Sequence, residues 1–240
     1  MKKLFLYSAA LVLSLNSCGD DDNSTIERVS IETQNSYDDQ AIQKFLNDCY
    51  FDAQGNVEKF SSTDASDDNY PSLATYSPVK LNSGVVYIVR PNAQPVTGTT
   101  VNDTDIIKLM SVSYFTQATE TDDVVSFANL TVFRNNIGGT GVPENDPFFY
   151  YAKKSLRTQY SKERNYFEIE GFREAIKNFQ SFEIPDSDSY NLQGVILVPS
   201  RAAYARDENV LDGTSSKFQD QSFIFNFQIY KTSARPADQL

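Results

Sequence analysis

The chain has 240 residues, of which 40% are hydrophobic and 13% aromatic, so it is long enough to bury the core of one full domain with additional segments. Its formal net charge of −11 argues against nucleic-acid binding, which requires clustered lysine and arginine, and we expect no nucleic-acid partner. Because the sequence has no histidine, it excludes Ser-His-Asp and Cys-His nucleophilic systems and imidazole-based zinc sites.

Residues 1–17 have the pattern of a bacterial export signal. Two lysines precede the mostly apolar run 4–15, which is too short to span a bilayer comfortably. The run ends in the letters LNSC, which resemble a lipobox, and this resemblance implies that Cys18 is lipidated and becomes the first mature residue. An ordinary cleaved signal with a chance cysteine is the alternative. We therefore expect an outer membrane lipoprotein, held on the periplasmic side or at the cell surface.

Two segments separate this signal from the first strands. Residues 18–36 are acidic and polar without sustained periodicity, which indicates a flexible tether. The acidic run behind Cys18 also resembles the surface-export signal of some Gram-negative lipoproteins. Residues 37–77 are predicted to form an N-terminal helical extension that packs on the domain or, alternatively, binds a partner. Its apolar residues at helical spacing are Ile42, Phe45, Leu46 and Cys49, and Cys49 is interpreted as a buried small hydrophobe.

Residues 78–232 are predicted to form the main domain. Strand-like runs occur at Gly84–Arg90, Ile106–Phe115 and Val124–Phe133. Within the following loop, 134–160, three glycines and two prolines lie close together, and loops of this length are usually functional lids or mobile inserts. We expect a helical turn within Lys153–Tyr160 and a return to the sheet at residues 166–169.

The last strand is predicted at Ser222–Tyr230. Its residues alternate so that one face is wholly apolar, which is typical of a strand that contributes to the core. Residues 233–240 are expected to form a frayed tail.

Residues 167–207 are the stretch around which the rest is organised. Phe172, Ala175, Ile176 and Phe179 recur at the spacing of one helix face, after Gly171, which allows a tight turn. The apolar run 195–198 is typical of a strand covered on both faces. One short helix between strands predicts an α+β fold, in which a curved antiparallel β-sheet wraps around one short α-helix.

This order of elements resembles the FKBP-type peptidyl-prolyl cis-trans isomerases, and their lipoproteins linked to gliding bacteria. The matching pieces are Ile169, Gly171-Phe172, Val198-Pro199, Ala203-Tyr204-Ala205 and the final strand 223–229. The resemblance covers roughly residues 80–232 and is clearest after residue 165.

The resemblance implies an FKBP-like fold and isomerisation of Xaa-Pro bonds in exported proteins, without a cofactor or metal. Phe172 would form the pocket floor, Phe225 would be an aromatic wall, and Phe127 would match the phenylalanine of the family's central motif. The backbone N–H of Ile169 and the hydroxyl of Tyr204 would hold substrate carbonyls. An apolar cleft of this kind can favour the twisted imide over the planar ground state.

Several family residues are replaced, which leaves other functions open. The aspartate expected after the central phenylalanine is Ala128, and the glycine expected after Tyr204 is Ala205. Phe172 and Phe225 would also be core residues in a protein that binds nothing. One alternative is a catalytically degenerate FKBP-fold lipoprotein that binds peptide or protein partners. Another is a surface adhesion or nutrient-binding lipoprotein. The oligomeric state is left open.

Overall fold

The computed structural model describes residues 28–210 and 218–240 of the chain. The predicted signal peptide, Cys18 and most of the predicted tether lie outside these described residues. Three α-helices occur in the described part, namely α1 (Ile31–Asp48), α2 (Lys154–Tyr160) and α3 (Glu170–Ile176). Within the same residues, no helix is both long and apolar enough to cross a membrane.

The strands range from two-residue bridges to a twelve-residue central strand. In chain order they are β1 (Cys49–Phe51), β2 (Val57–Lys59), β3 (Val79–Lys80), β4 (Val86–Val89), β5 (Thr99–Thr100), β6 (Ile106–Thr116), β7 (Ala118–Thr121), β8 (Val124–Phe127), β9 (Thr131–Asn135), β10 (Glu144–Asn145), β11 (Gln180–Ser181), β12 (Gly194–Val198) and β13 (Ser222–Ser233).

Seven of these strands form the main sheet, in the order β10-β6-β13-β12-β4-β3, with β9 also paired to β6. Each pairing in this sheet is antiparallel. The longest ladder joins β13 to β6, so these two strands form the centre of the sheet. The α+β fold predicted from the sequence, with an antiparallel sheet and few helices, is therefore confirmed.

Helix α3 packs against the inner face of the main sheet. Its apolar residues are fully buried, together with alternate residues of β12 and β13, because both elements present their apolar faces to the same core. Gly171 is necessary for this packing, since a Cβ atom there would lie 2.6 Å from Val85 Cγ2 and 2.7 Å from Val198 Cγ1. The predicted role of Gly171 in a tight turn is thus replaced by a role in close helix–sheet contact.

Helix α1 covers the outer face of the same sheet. Ile42 and Leu46 of α1 are buried in a second apolar cluster with Val195, Leu197 and Ile224 of the sheet. As a result β13 is buried on both faces over Ser222–Tyr230, although the alternating sequence predicts one apolar and one more polar face. Three polar residues of its outer face, Asn226, Gln228 and Tyr230, are hydrogen-bonded, and Asn226 Nδ2 donates to the carbonyls of Gly55 and Gly194.

Helix α1 also begins earlier than predicted. It starts at Ile31, inside the segment interpreted as a tether, and Ser30 caps it by accepting a hydrogen bond from the N–H of Thr33 at 3.1 Å. The first turns of the helix consist mostly of polar residues, so they show no apolar periodicity that would predict them. The helical turn expected within Lys153–Tyr160 is confirmed as α2.

Three further local predictions differ from the structure. The run Val124–Phe133 is broken at residues 128–130 into β8, which pairs with β7, and β9, which pairs with β6. Residues 166–169 do not re-enter the sheet but lead from a 3-10 turn into α3. The predicted tail is anchored, because Arg235 is buried and forms an ion pair with Asp146.

Candidate functional site

Four of the five site residues predicted from the resemblance come together on the inner face of the sheet. The ring of Phe172, on α3, lies 4.4 Å from that of Phe225, on β13. Ile169 immediately precedes α3, and Tyr204 lies beyond β12 with its ring 6.0 Å from Phe223. The side chains of these four residues are at most 3% exposed. Their assignment as a site remains a prediction, although their proximity is observed.

Both hydrogen-bond donors expected to hold a substrate are paired within the chain. The N–H of Ile169 donates to the carbonyl of Phe149 at 2.8 Å. The hydroxyl of Tyr204 donates to the carbonyl of Phe167, also at 2.8 Å. A substrate carbonyl would have to displace these internal acceptors, and each displaced backbone carbonyl would need a new partner.

The side chain of Phe149 fills the space next to Phe172 and Phe225. Its ring is fully buried, stacks on Phe225 at 5.6 Å between centroids, and meets Phe172 edge-on at 5.4 Å. We call residues 144–153, which carry Phe149, the covering segment. This segment belongs to the long loop that the sequence indicates as a lid or insert.

A buried ion pair holds the covering segment in place. Arg235 donates two hydrogen bonds to the carboxylate of Asp146, at 2.8 and 2.5 Å, and lies over the ring of Tyr151. Burial alone would raise the pKa of Asp146, but hydrogen bonds from Arg235 and Lys153 outweigh it and lower that pKa. The carboxylate is therefore charged at neutral pH, and the segment is tied to the C-terminal residues of the chain.

A second buried carboxylate fixes the end of this segment. Glu168 is 1% exposed, and its Oε1 accepts hydrogen bonds from the N–H of Ala152 at 2.8 Å and from Arg164 Nε at 2.7 Å. The covering segment is thus held on both sides of Phe149, at Asp146 by Arg235 and at Ala152 by Glu168. Both arrangements hold the covering segment, and with it Phe149, against the inner face of the sheet.

Phe127, the fifth predicted residue, lies elsewhere. It is on β8, half-buried, and its ring contacts Phe45 of α1 at 5.9 Å, which places it with the outer-face cluster. The phenylalanine that reaches the inner aromatic residues is Phe133, with its ring 6.3 Å from Phe225 and 5.5 Å from Phe149. Phe127 therefore does not join the other four predicted residues, because the strand breaks between Phe127 and Phe133 and the two rings lie on different faces of the sheet.

Phe133 and Phe149 are the residues that sequence reasoning missed. Phe133 is half-buried, as is Phe148, and the guanidinium of Arg134 lies over both rings, at 5.8 and 5.4 Å. These two rings form the accessible rim of the inner aromatic cluster, which consists of Phe133, Phe148, Phe149, Phe172 and Phe225. The available signal was the Pro-Phe-Phe sequence at 147–149, since adjacent aromatics in a polar loop are rarely left in water.

Cys49 is buried, as predicted, at 4% exposure. Burial raises the pKa of its thiol to about 12, so the reactive thiolate is scarce at neutral pH and the residue serves packing.

Comparisons with known proteins give structural neighbours only. No protein-family model and no curated protein matches the chain. FkpA from Escherichia coli is 17% identical over 66% of this chain and 53% of its own, with a TM-score of 0.37, so the chain spans about half the length of FkpA. A peptidyl-prolyl cis-trans isomerase from Pseudomonas syringae pv. tomato is 11% identical over 86% of this chain and 98% of its own, also at 0.37.

A third similar structure is a DUF4827 family protein from Parabacteroides distasonis. It is 13% identical, aligns with 84% of this chain and 98% of its own, and has a TM-score of 0.38.

Proposed function

We propose that this protein is a non-catalytic binding protein of the cell envelope, built on an FKBP-like fold and anchored by a lipid at Cys18. The observation that supports this proposal is the internal use of both expected substrate donors, the Ile169 N–H and the Tyr204 hydroxyl. A peptidyl-prolyl isomerase must offer such groups, together with an open aromatic cleft, to a substrate from outside.

The free energy of opening supports the same conclusion. Exposing one buried phenylalanine costs about 1.5–3 kcal/mol, and each lost hydrogen bond about 0.5–1.5 kcal/mol. Withdrawing Phe149 and freeing the two donors therefore costs about 2.5–6 kcal/mol in total. At that cost the open form is at most a few per cent of the population, so catalysis through it would be correspondingly weak.

The test is a protease-coupled isomerisation assay with a short Xaa-Pro peptide. We expect isomerisation to stay at its uncatalysed rate, with a time constant on the order of 10–100 s at 25 °C. A rate that increases in proportion to protein concentration would overturn the proposal. An active FKBP-type isomerase in the same assay controls for peptide quality and protease activity.

An isomerase gated by the covering segment is the second candidate. The specific observation in its favour is that the ring of Phe149 packs on Phe172 and Phe225, the residues expected to form the pocket floor and the aromatic wall. In this alternative, Xaa-Pro segments of exported proteins displace the covering segment and are isomerised on the exposed rings.

Substituting Phe149 separates the two candidates. We expect Phe149→Ala to remain inactive, because the carbonyls that occupy both donors belong to the backbone and persist in the variant. A gain of about tenfold or more over wild type would instead favour the gated isomerase. The substitution costs about 3–5 kcal/mol of stability, so Phe149→Leu serves as a milder variant. Phe179→Ala, at another fully buried site of the same core, is the matched control for loosened packing.

A further inference from the structure

A groove of about 370 Å³ lies on the outer face of the sheet, on the side opposite the inner aromatic cluster. Its floor is formed by Val112, Tyr114 and Ile224 of the central strands, and its walls include Phe45 of α1, Phe127 of β8 and Leu130. We call this feature the outer groove. Its volume falls in the range of pockets that hold small ligands or single large side chains.

The charges around the outer groove balance. Its lining contains two lysines and two carboxylates, of which Lys44 and Asp48 pair with each other at 2.9 Å, while Glu58 and Lys59 are adjacent on β2. The groove is thus formally neutral in a chain whose net charge is −11. Charge complementarity therefore favours an uncharged apolar occupant over an anion or a cation.

One wall of the outer groove is a strand edge with unused backbone groups. In the β1–β2 hairpin, the bonded pairs are Asp48 with Phe60 and Asp52 with Asn56, so Val57 and Lys59 direct their backbone groups away from β1. The N–H of Val57 donates to Asn226 Oδ1 at 3.0 Å. No partner for the N–H or carbonyl of Lys59 is found among residues 28–210 and 218–240.

We propose that the outer groove binds an extended peptide segment, whose backbone pairs with Lys59 while one apolar side chain enters the groove beside Phe45 and Phe127. Strand addition of this kind supplies affinity through main-chain hydrogen bonds and specificity through a pocket for alternate side chains. This inference rests on the proposed binding function, and it assigns that function to a face remote from the inner aromatic cluster.

The test is an NMR titration of the protein with a synthetic, uncharged eight-residue peptide of alternating serine and leucine. We expect saturable shifts of the Lys59 amide signal and of residues lining the outer groove. A second peptide, N-methylated at alternate residues so that one edge loses its N–H donors and is sterically hindered from pairing, should bind about tenfold more weakly.

Two matched variants locate the binding. Leu130, 43% exposed in the wall of the outer groove, and Val142, 50% exposed elsewhere, can each be replaced by aspartate without burying a charge. We expect Leu130→Asp to weaken binding about tenfold and Val142→Asp to leave it unchanged, since only the former places a charge in the apolar groove.

Three outcomes would overturn the outer-groove proposal: shifts confined to the inner aromatic cluster, equal binding of the N-methylated peptide, or no saturable binding at millimolar peptide. None of these outcomes would indicate isomerase activity, so the outer-groove proposal can fail while the proposed non-catalytic function stands. Conversely, catalysis in the isomerisation assay would remove the proposed function whether or not the outer groove is occupied.

Discussion

At the scale of single residues, a buried carboxylate joins α1 to the end of β12. Asp38 is inaccessible to solvent, and its Oδ2 accepts hydrogen bonds from both the N–H and the hydroxyl of Ser200, at 2.7 and 2.6 Å. Its Oδ1 accepts from Gln34 at 3.0 Å. Burial raises the pKa of Asp38, because these neutral donors and the charge of Arg201 do not fully replace its hydration.

This shift predicts a distinctive pH dependence for Asp38→Asn. Because the folded protein holds the Asp38 proton more tightly than the unfolded chain does, wild type loses stability as the pH rises from about 4 through the raised pKa. The asparagine variant lacks this loss, so its stability relative to wild type should increase over that interval. Denaturant unfolding at a series of pH values measures the difference, and parallel curves would contradict it.

The neighbouring residue gives the control of opposite sign. Burial would raise the pKa of Asp39, but hydrogen bonds from Arg201 and Lys80 outweigh it and lower that pKa. The stabilisation from Asp39 is therefore present above its unfolded-state pKa and is lost as the pH falls through the lowered value. Asp39→Asn should lose most stability relative to wild type near neutral pH, and the difference should shrink on acidification.

At the scale of elements, the covering segment depends on Arg235. The guanidinium is 0% exposed and, besides Asp146, it donates to the carbonyls of Thr104 and Asp105. It thereby connects the C-terminal residues, the β5–β6 connection and the covering segment. A buried pair of this kind gives little net stability compared with an apolar pair, but removing one partner leaves a buried charge.

We accordingly predict that Arg235→Met destabilises the protein by about 3–5 kcal/mol. Hydrogen exchange should show the largest loss of protection in residues 144–153, since these lose their main anchor. Lys231→Met is the matched control, because Lys231 and Glu183 form an exposed pair whose loss costs about 0–1 kcal/mol. Equal effects of the two substitutions would show that Arg235 does not hold the segment.

The sequence predicts the elements that have strong periodicity. It does not predict the residues whose burial depends on contacts between distant segments. The helix face of Phe172, Ala175 and Ile176 predicts α3, and the alternating residues of 222–230 predict β13. The adjacent aromatic residues 148–149 indicate burial but not the core that Phe149 enters, and no local pattern indicates that Arg235 is buried, because the partners lie about 75–90 residues away. The separation of Phe127 from the other four predicted residues follows from a strand break that no glycine or proline marks in the sequence.

At the scale of the whole molecule, the central sheet has a core on each face. The inner core contains α3 and the aromatic rings, and the outer core contains α1 and the β1–β2 hairpin. Because β12 and β13 contribute alternate residues to both cores, the N-terminal helix is an integral layer of the domain. The sequence predicts an amphipathic helix there, but not which face of the sheet it covers.

Removing one α1 side chain should therefore weaken the whole domain. Leu46 is 2% exposed in the outer core, and Leu46→Ala should cost about 2–5 kcal/mol. Unfolding should remain a single transition, with far-ultraviolet circular dichroism and tyrosine absorbance changing together. Ile31→Ala, at a 55% exposed position of the same helix, should be close to neutral. Separate melting of the helix before the sheet would contradict a shared core.

Helix α1 also sets a distance. Arg28, just before the helix, is held to the body by Gln219 at 2.6 Å, whereas the outer groove lies near Lys44 and Asp48 at the other end. At about 1.5 Å per residue, the intervening helix spans roughly 20–25 Å. Under the proposed anchoring at Cys18, a peptide bound in the outer groove would therefore lie about one helix length from residue 28, where the described part of the chain begins.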